Sequence, residues 1–144
     1  MADNMKVYKC RSIVRGSGAG EAVVSKDAMC FYLTDPTTGV VIERNHAIEG
    51  KSIAGKVLVL QSGKGSSVVQ ADGFYQLWVR NNLPAAIIIN VPEPVIVSSA
   101  VMVGSTMVDR LEKDPFEAIE DGDYVEVDAD AQEVRVWKGG KAAD

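Results

Sequence analysis

A chain of 144 residues has room for one domain with a buried core. At 47% hydrophobic, 24% charged and a formal net charge of −5, it is neither disordered nor suited to a generic nucleic-acid surface. Its longest apolar runs, AAIII and VIVSSAVMV, fall far short of a membrane span, and MADNMKVYK at the amino terminus carries no apolar signal core, so a cytoplasmic protein is expected.

MKVYKCRSIV reads as a strand. RGSGAGE is glycine-rich and reads as a sharp turn, with the short apolar EAVV after it. AMCFYL alternates loosely, as a strand does, and stops at Asp35-Pro36-Thr37-Thr38-Gly39, a strong turn signal. VVIE is its return strand, and NHAIEGKSIAGK is a long connection. KVLVL, ending at Leu60, is short and continuously apolar, as a strand covered on both faces should be. From Ser67 to Leu83 the spacing predicts a helix. Its apolar residues fall at Val68, Ala71, Tyr75 and Trp78, with Phe74 and Leu77 on a neighbouring row. Gly73 is a weak point in it, worth about 1 kcal/mol relative to alanine, and Pro84 ends it. AAIII is a second buried strand. Pro92-Glu93-Pro94 opens a second helix through VIVSSAVMV, and STMVD is a third strand. GDYVEVD and EVRVW are strands about a turn at DADAQ, and GGKAAD, residues 139–144, reads as a frayed tail.

Strand, helix, strand, helix, strand in the middle implies a right-handed parallel βαβαβ unit. The expected whole is a single α/β domain over residues 1–144, with helices on one face of the parallel core and additional strands forming a layer opposite.

Two cysteines, Cys10 and Cys30, and one histidine, His46, are too few to build a metal centre within the chain. The cysteines read as reduced thiols, and His46 as a hydrogen-bonded loop residue. Any redox or metal group belongs to another chain.

In open parallel sheets, ligands bind beyond the carboxyl ends of the strands. Those ends here are QSGKGSS after KVLVL, Asn90 after AAIII, and Asp109-Arg110 after STMV, so Lys64, Ser66, Asn90, Asp109 and Arg110 are expected along one edge. In QSGKGSS, Gly63 and Gly65 let the backbone approach a ligand. Ser66 or Ser67 caps the following helix, and the helix amino terminus favours an anion. The loop is not a P-loop: Leu58 stands where its first glycine belongs, and Gly65 follows the lysine where Ser or Thr is required. No nucleophile elbow G-x-S-x-G is present, and a serine triad has no nearby histidine. On spacing alone, Ser66 is a helix cap or a functional hydroxyl.

The ordered set GSGAGEAVVS, DPTTGVVIERNHAIEGKSIAGKVLV, SGKGSS, PAAIIIN, MVD and GDYVEVD resembles the small subunit, or swivel domain, of the aconitase X family, over roughly residues 10 to 137. The resemblance implies an aconitase-like swivelling β/β/α domain. It also implies a separate large subunit that carries an iron–sulfur cluster and most of the active site. The pair would be a hydro-lyase that dehydrates a hydroxy acid and is inactive without the large subunit. Gly65-Ser66-Ser67 matches the family's glycine-serine-serine turn. By that match Ser66 is the base, Ser67 binds substrate, and Lys64 and Gly65 complete the substrate contacts; no metal ligand is expected here. A serine becomes a base only where N–H donors and positive charge stabilise its alkoxide. Val68-Val69-Gln70 replace the Arg-Glu-His that follows the paired serines in ordinary aconitases. Family substrates are cis-3-hydroxy-L-proline and mevalonate 5-phosphate. The composition lacks hyperthermophile features, which favours a mesophilic bacterium and therefore cis-3-hydroxy-L-proline. A reading of another class is a non-catalytic regulatory or interaction domain on the same fold.

Overall fold

The long strand Ser17–Ser25 (β3) belongs to two sheets at once. Its first half, Ser17–Glu21, pairs antiparallel with Tyr124–Asp128 (β7). Its second half, Ala22–Ser25, pairs parallel with Val57–Leu60 (β4). The computed structural model describes residues 5–141. The remaining strands are Met5–Lys9 (β1), Arg11–Val14 (β2), Ala86–Ile89 (β5), Met107–Asp109 (β6) and Glu133–Trp137 (β8). They run in the order β1-β8-β7-β3-β4-β5-β6-β2. The two ends of that order, β1 and β2, are consecutive in the chain and joined by Cys10, so the ladder curves round on itself.

The enclosed space holds one core: Ala22, Val57, Val59, Ile88, Val125, Val127, Val134 and Val136 among others. A second core lies on the other side of β4, β5 and β6, under the helices Ser67–Val79 (α1) and Pro94–Val103 (α2), and contains Leu58, Leu60, Ile87, Ile89, Phe74, Leu77 and Ile96. Alternate residues of VLVL thus enter opposite cores, which is why the run is apolar without a break. The result is a β/β/α stack, with β4-α1-β5-α2-β6 as the expected parallel unit. A short helix, Pro115–Ala118 (α3), leads toward β7.

Several expectations change. RGSGAGE is not a turn. The chain turns at Arg15-Gly16, and Ser17 to Gly20 are already strand. The glycines permit close packing: a Cβ on Gly18 would lie 1.9 Å from the Ala85 carbonyl oxygen, and one on Gly20 would lie 2.6 Å from that of Gly55. AMCFYL is not a strand. Met29 makes a single parallel bridge to Gly63, and Phe31–Leu33 forms one 3-10 turn. VVIE makes only isolated bridges, Thr34 to Val41 and Val40 to Ser52. MKVYKCRSIV is divided at Cys10 between two partners. Helix α1 stops at Val79, before Pro84, and Asn81 takes a positive φ of 58° just beyond it. Its buried face is Gln70, Gly73, Phe74 and Leu77, whereas Val68, Tyr75 and Trp78 are exposed. Gly139 is held by its N–H to the Asp123 carboxylate (2.9 Å); residues 142–144 of the expected tail lie outside the described residues.

Gly73 is a packing requirement and not a weak point. A Cβ there would meet the Tyr32 nitrogen at 2.2 Å and the Phe31 carbonyl carbon at 2.3 Å, both backbone. Gly73→Ala should therefore destabilise by about 1–3 kcal/mol, although helix propensity alone would favour it by about 1 kcal/mol. Urea unfolding decides the sign, and a stabilised variant would contradict the close packing.

Asp123 ties the β8 exit to the β7 entrance. Its buried carboxylate accepts from Lys138 Nζ (2.6 Å), the Glu120 amide (2.8 Å) and the Gly139 amide (2.9 Å). Burial pushes this carboxyl up, but the Lys138 ammonium and the two amides outweigh it and leave it below the usual aspartate range. A lowered folded value means the stabilisation is complete above the ordinary aspartate value of about 3.9 and is lost as pH falls through the lowered one. Asp123→Asn should cost about 1–3 kcal/mol at neutral pH. The gap to wild type should close below about pH 4; unfolding curves across acid pH that keep a constant gap would refute this.

Candidate functional site

The loop Gln61–Ser66 leaves the carboxyl end of β4 and enters α1. Ser66 is the N-cap, with extended backbone (φ −76°, ψ 163°), and its carbonyl accepts the Gln70 amide at 3.0 Å. Its side chain takes the Val69 amide at 3.5 Å, the long limit of a hydrogen bond. The hydroxyl is thus a loose cap on an exposed residue and retains capacity to bond elsewhere.

The amides of Ser67 and Val68 precede the first intrahelical bond. Among the described residues, no acceptor is bonded to them or to the Gly65 amide. No acidic side chain occupies the first turn of α1. The positive end of the helix is therefore uncompensated at the loop, and favours an anion.

Gly65 has a φ of +95°, which a residue with a Cβ rarely adopts, and an added Cβ would also press on Cys30 Sγ at 3.0 Å. The Lys64 ammonium lies against the Glu43 carboxylate. Its charge is already partnered in the free chain, so an incoming anion would compete with Glu43. Ser67, in the first turn, is exposed.

The residue that organises the loop is Gln70, which is fully buried. Its Oε1 accepts from the Phe31 amide (2.7 Å), and its Nε2 donates to the carbonyls of Met29 (3.0 Å) and Lys64 (3.2 Å). The backbone continues the same link, with Met29 N donating to Ser62 O (3.0 Å) and Lys64 N to Met29 O (3.1 Å). Sequence reading missed Gln70 and Glu43. A signal for Gln70 was available, because Gln70, Gly73, Phe74 and Leu77 share i, i+3, i+4, i+7 spacing, with one amide on an otherwise packable row. For Glu43 no local signal exists.

The other strand ends are only partly joined to this loop. Asn90 Nδ2 donates to Gln61 Oε1 at 3.0 Å, beside the loop. Asp109 is engaged: Arg11 binds both its oxygens, at 2.8 and 2.7 Å, and the carboxylate is buried. Arg110 is exposed, with a φ of 51°. His46 is buried beneath the neighbouring connection, its Nε2 against the Ala28 carbonyl oxygen (2.9 Å) and its Nδ1 taking the Ile48 amide (3.2 Å). Those contacts require a proton on Nε2 and a lone pair on Nδ1. Cys10 and Cys30 are both buried free thiols, and burial, followed by the charges of Asp109, Glu133 and Asp128, pushes Cys10 up to about 11. Cys10 is therefore a poor thiolate and a poor ligand. Among the described residues, no group of three or more His, Cys, Asp or Glu side chains is placed to hold a metal ion, and no helix is long and apolar enough to cross a membrane.

A cleft of about 440 Å³ lies between α1 and the Asp35-Pro36 turn, lined by Tyr32, Ile42, Asp72 and Gly73 among others. None of Lys64, Gly65, Ser66 or Ser67 lines it. Unpaired amides, a helix amino terminus and a free hydroxyl converge at the loop and not at this cleft, so the loop is the candidate site.

If Ser66 serves a ligand and not the helix, Ser66→Ala should cost the isolated chain well under the ~1 kcal/mol typical of a lost N-cap. Chemical denaturation measures this, and a loss beyond about 1 kcal/mol would make the hydroxyl a structural cap.

A family model described as the aconitase X swivel domain matches residues 7–136. The phosphomevalonate dehydratase small subunit of Methanosarcina mazei is 42% identical over 135 residues, covering 93% of each chain. The protein of the same name from Methanocella arvoryzae is 46% identical over 124 residues, 85% of this chain and 93% of its own. The crystal structure of Thermococcus kodakaraensis aconitase X in its holo-form superposes with a TM-score of 0.82 at 37% identity, covering 91% of this chain and 98% of that one. A UPF0107 protein solved by solution NMR has a TM-score of 0.77, also at 37% identity, covering 90% and 97%. This chain belongs to the aconitase X swivel domain family.

Proposed function

We propose that this chain is the small subunit of a phosphomevalonate dehydratase, and that Ser66 is the base that removes the proton during loss of water. The observation that carries the reading is an exposed, loosely capped hydroxyl among unpaired amides at the start of α1. It occurs in a chain similar along nearly its whole length to proteins named as small subunits of that enzyme. Those names favour mevalonate 5-phosphate over the expected cis-3-hydroxy-L-proline. Amino-acid composition reflects growth temperature and carries no information about substrate chemistry.

In this reading the substrate is a 3-hydroxy acid, whose carboxylate sits against the amides of Gly65, Ser67 and Val68. The Ser66 alkoxide takes a proton from the carbon beside the carbinol carbon. The C–H electron pair forms the double bond as the C–O bond breaks, and the departing hydroxide takes up from solvent a proton equivalent to the one Ser66 gave up, leaving as water with Ser66 a hydroxyl again. The helix amino terminus stabilises the alkoxide before transfer. Lys64 exchanges Glu43 for the substrate anion, and the Ser67 hydroxyl bonds the substrate. An iron–sulfur cluster, with the Lewis acidity it supplies, belongs to the large subunit.

The outer row of α1 supports such a partner. Val68 is three-quarters exposed, and Tyr75, Trp78 and Val79 are about half exposed. Val68 lies in the same turn as Ser66 and Ser67, so a chain that covers the loop also reaches this row. Aromatic side chains of this kind commonly anchor interfaces.

The test is anaerobic co-expression with the large subunit, followed by turnover of mevalonate 5-phosphate and, separately, of cis-3-hydroxy-L-proline. Mevalonate 5-phosphate should lose water, and neither chain alone should act. Ser66→Ala in the assembled complex should lower kcat by about 10²–10⁴-fold with little change in KM. Full activity in that variant would remove Ser66 from the chemistry. Turnover of the hydroxyproline alone would reverse the substrate assignment.

A further inference from the structure

We propose that Gln70 is a positioning residue that aims the Gly65 amide at the substrate anion. The inference rests on the dehydratase reading for its chemistry, but on the geometry of this chain for its mechanism.

The Lys64–Gly65 peptide has two sensible orientations, related by a flip of its plane. Gln70 Nε2 selects one by taking the Lys64 carbonyl into the protein at 3.2 Å. The peptide is trans, as are all described, so its N–H points opposite to its C=O. The Gly65 amide therefore points away from Gln70 Nε2, in a residue that is itself exposed next to the exposed Ser66, and no described residue accepts from it. It joins the unpaired Ser67 and Val68 amides as a third donor. The positive φ at Gly65 is the backbone consequence of the same choice.

Gln70 can do this because its own side chain is buried and held by three hydrogen bonds. Its three hydrogen bonds use Oε1 and both Nε2 protons, so its amide cannot rotate by half a turn without facing donors with donors. Its own backbone N–H bonds the Ser66 carbonyl at 3.0 Å. One residue thus grips the chain on both sides of Gly65 and Ser66. Hydrophobic packing could hold α1 in place, but it could not choose the orientation of a single peptide. An amide is needed at this position because two of its partners are carbonyls and one is an N–H.

Two variants and two readouts test this. In the assembled complex, Gln70→Leu should lower kcat on mevalonate 5-phosphate by about 100-fold, the scale for loss of one preorganised donor. Gln70→Glu keeps the acceptor for Phe31, but its ionised form repels the two carbonyls. Once protonated, a carboxyl in this site can donate to one of them. Its kcat should therefore recover toward wild type as pH falls from about 8 to about 5, relative to the wild-type profile. Circular dichroism should report a folded chain at both ends of that range. A residue that served folding alone would give no such recovery at constant folded fraction. The second readout needs no partner or substrate. In the isolated chain, the Gly65 amide resonance and its N–H to Cα–H couplings should change in Gln70→Leu, while those of β4 and β5 stay in place. Wild-type kcat in folded, assembled Gln70→Leu, or an unmoved Gly65 amide, would overturn the proposal. If Gln70→Leu does not fold, the pH response of Gln70→Glu decides in the same two ways. If the wild-type complex turns over neither substrate, the dehydratase reading fails, and the Gly65 resonance still decides whether Gln70 sets the peptide.

Discussion

The buried amide of Gln70 is the constraint on which the candidate site depends. Burying such a group costs several kcal/mol unless its hydrogen-bonding capacity is met. Here it is met by Phe31, Met29 and Lys64 together. The first turns of α1, the loop after β4 and the segment before the 3-10 turn therefore stand or fall as one unit. Without the amide, the Phe31 N–H would lose its acceptor in a buried place, and the part-buried Lys64 carbonyl would lose its donor. The stacked rings of Phe31 and Phe74, with centroids 4.0 Å apart, close the same junction from its apolar side.

The β/β/α stack explains why the loop is where it is. Strand β4 is buried on both faces, and its end is fixed by β3 on one side and β5 on the other. The first turn of α1 follows that end through the Gln61–Ser66 loop, so its free amides and dipole are held next to a strand that is fully buried and paired on both edges. What this arrangement provides is one side of a reaction centre: a hydroxyl, oriented amides and a lysine held by Glu43. Other functional groups have to approach from outside. The outer surface of α1, apolar where a solvated helix would be polar, is consistent with burial against a partner in the proposed complex.

The parts of the fold that could be read from sequence are those in which neighbouring residues share one environment. VLVL and AIII lie between two cores, so every position is apolar. Tyr124–Asp128 alternates because one face of that strand is inside the ring and one outside. Pro94 and Gly104 bound α2 for local backbone reasons. The misreadings have a common cause, which is contact with something distant in sequence. Gly18 and Gly20 look like turn residues but sit in a strand paired with β7, and have no room for a Cβ because the Ala85 and Gly55 carbonyls press against it. Gly73 looks like a helix defect but is where the Phe31–Tyr32 backbone crosses α1. Val68, Tyr75 and Trp78 look like a core row but face outward, because the helix rolls to bury Gln70, Gly73, Phe74 and Leu77 instead.

By itself, the sequence determined the parallel βαβαβ core and the family. It also determined the loop in which Ser66 sits. Each of these is encoded in runs of adjacent residues, by apolar continuity, helix-capping chemistry and an ordered set of motifs. Only the tertiary structure decided that Asp109 is consumed by Arg11, that Lys64 is held by Glu43, and that Gln70, and not a charged residue, shapes the loop. Those are pairings between residues 98, 21 and 6 to 41 positions apart. A side chain's partner across such distances depends on how the sheets close and how α1 rolls, and no local pattern of residue types records either.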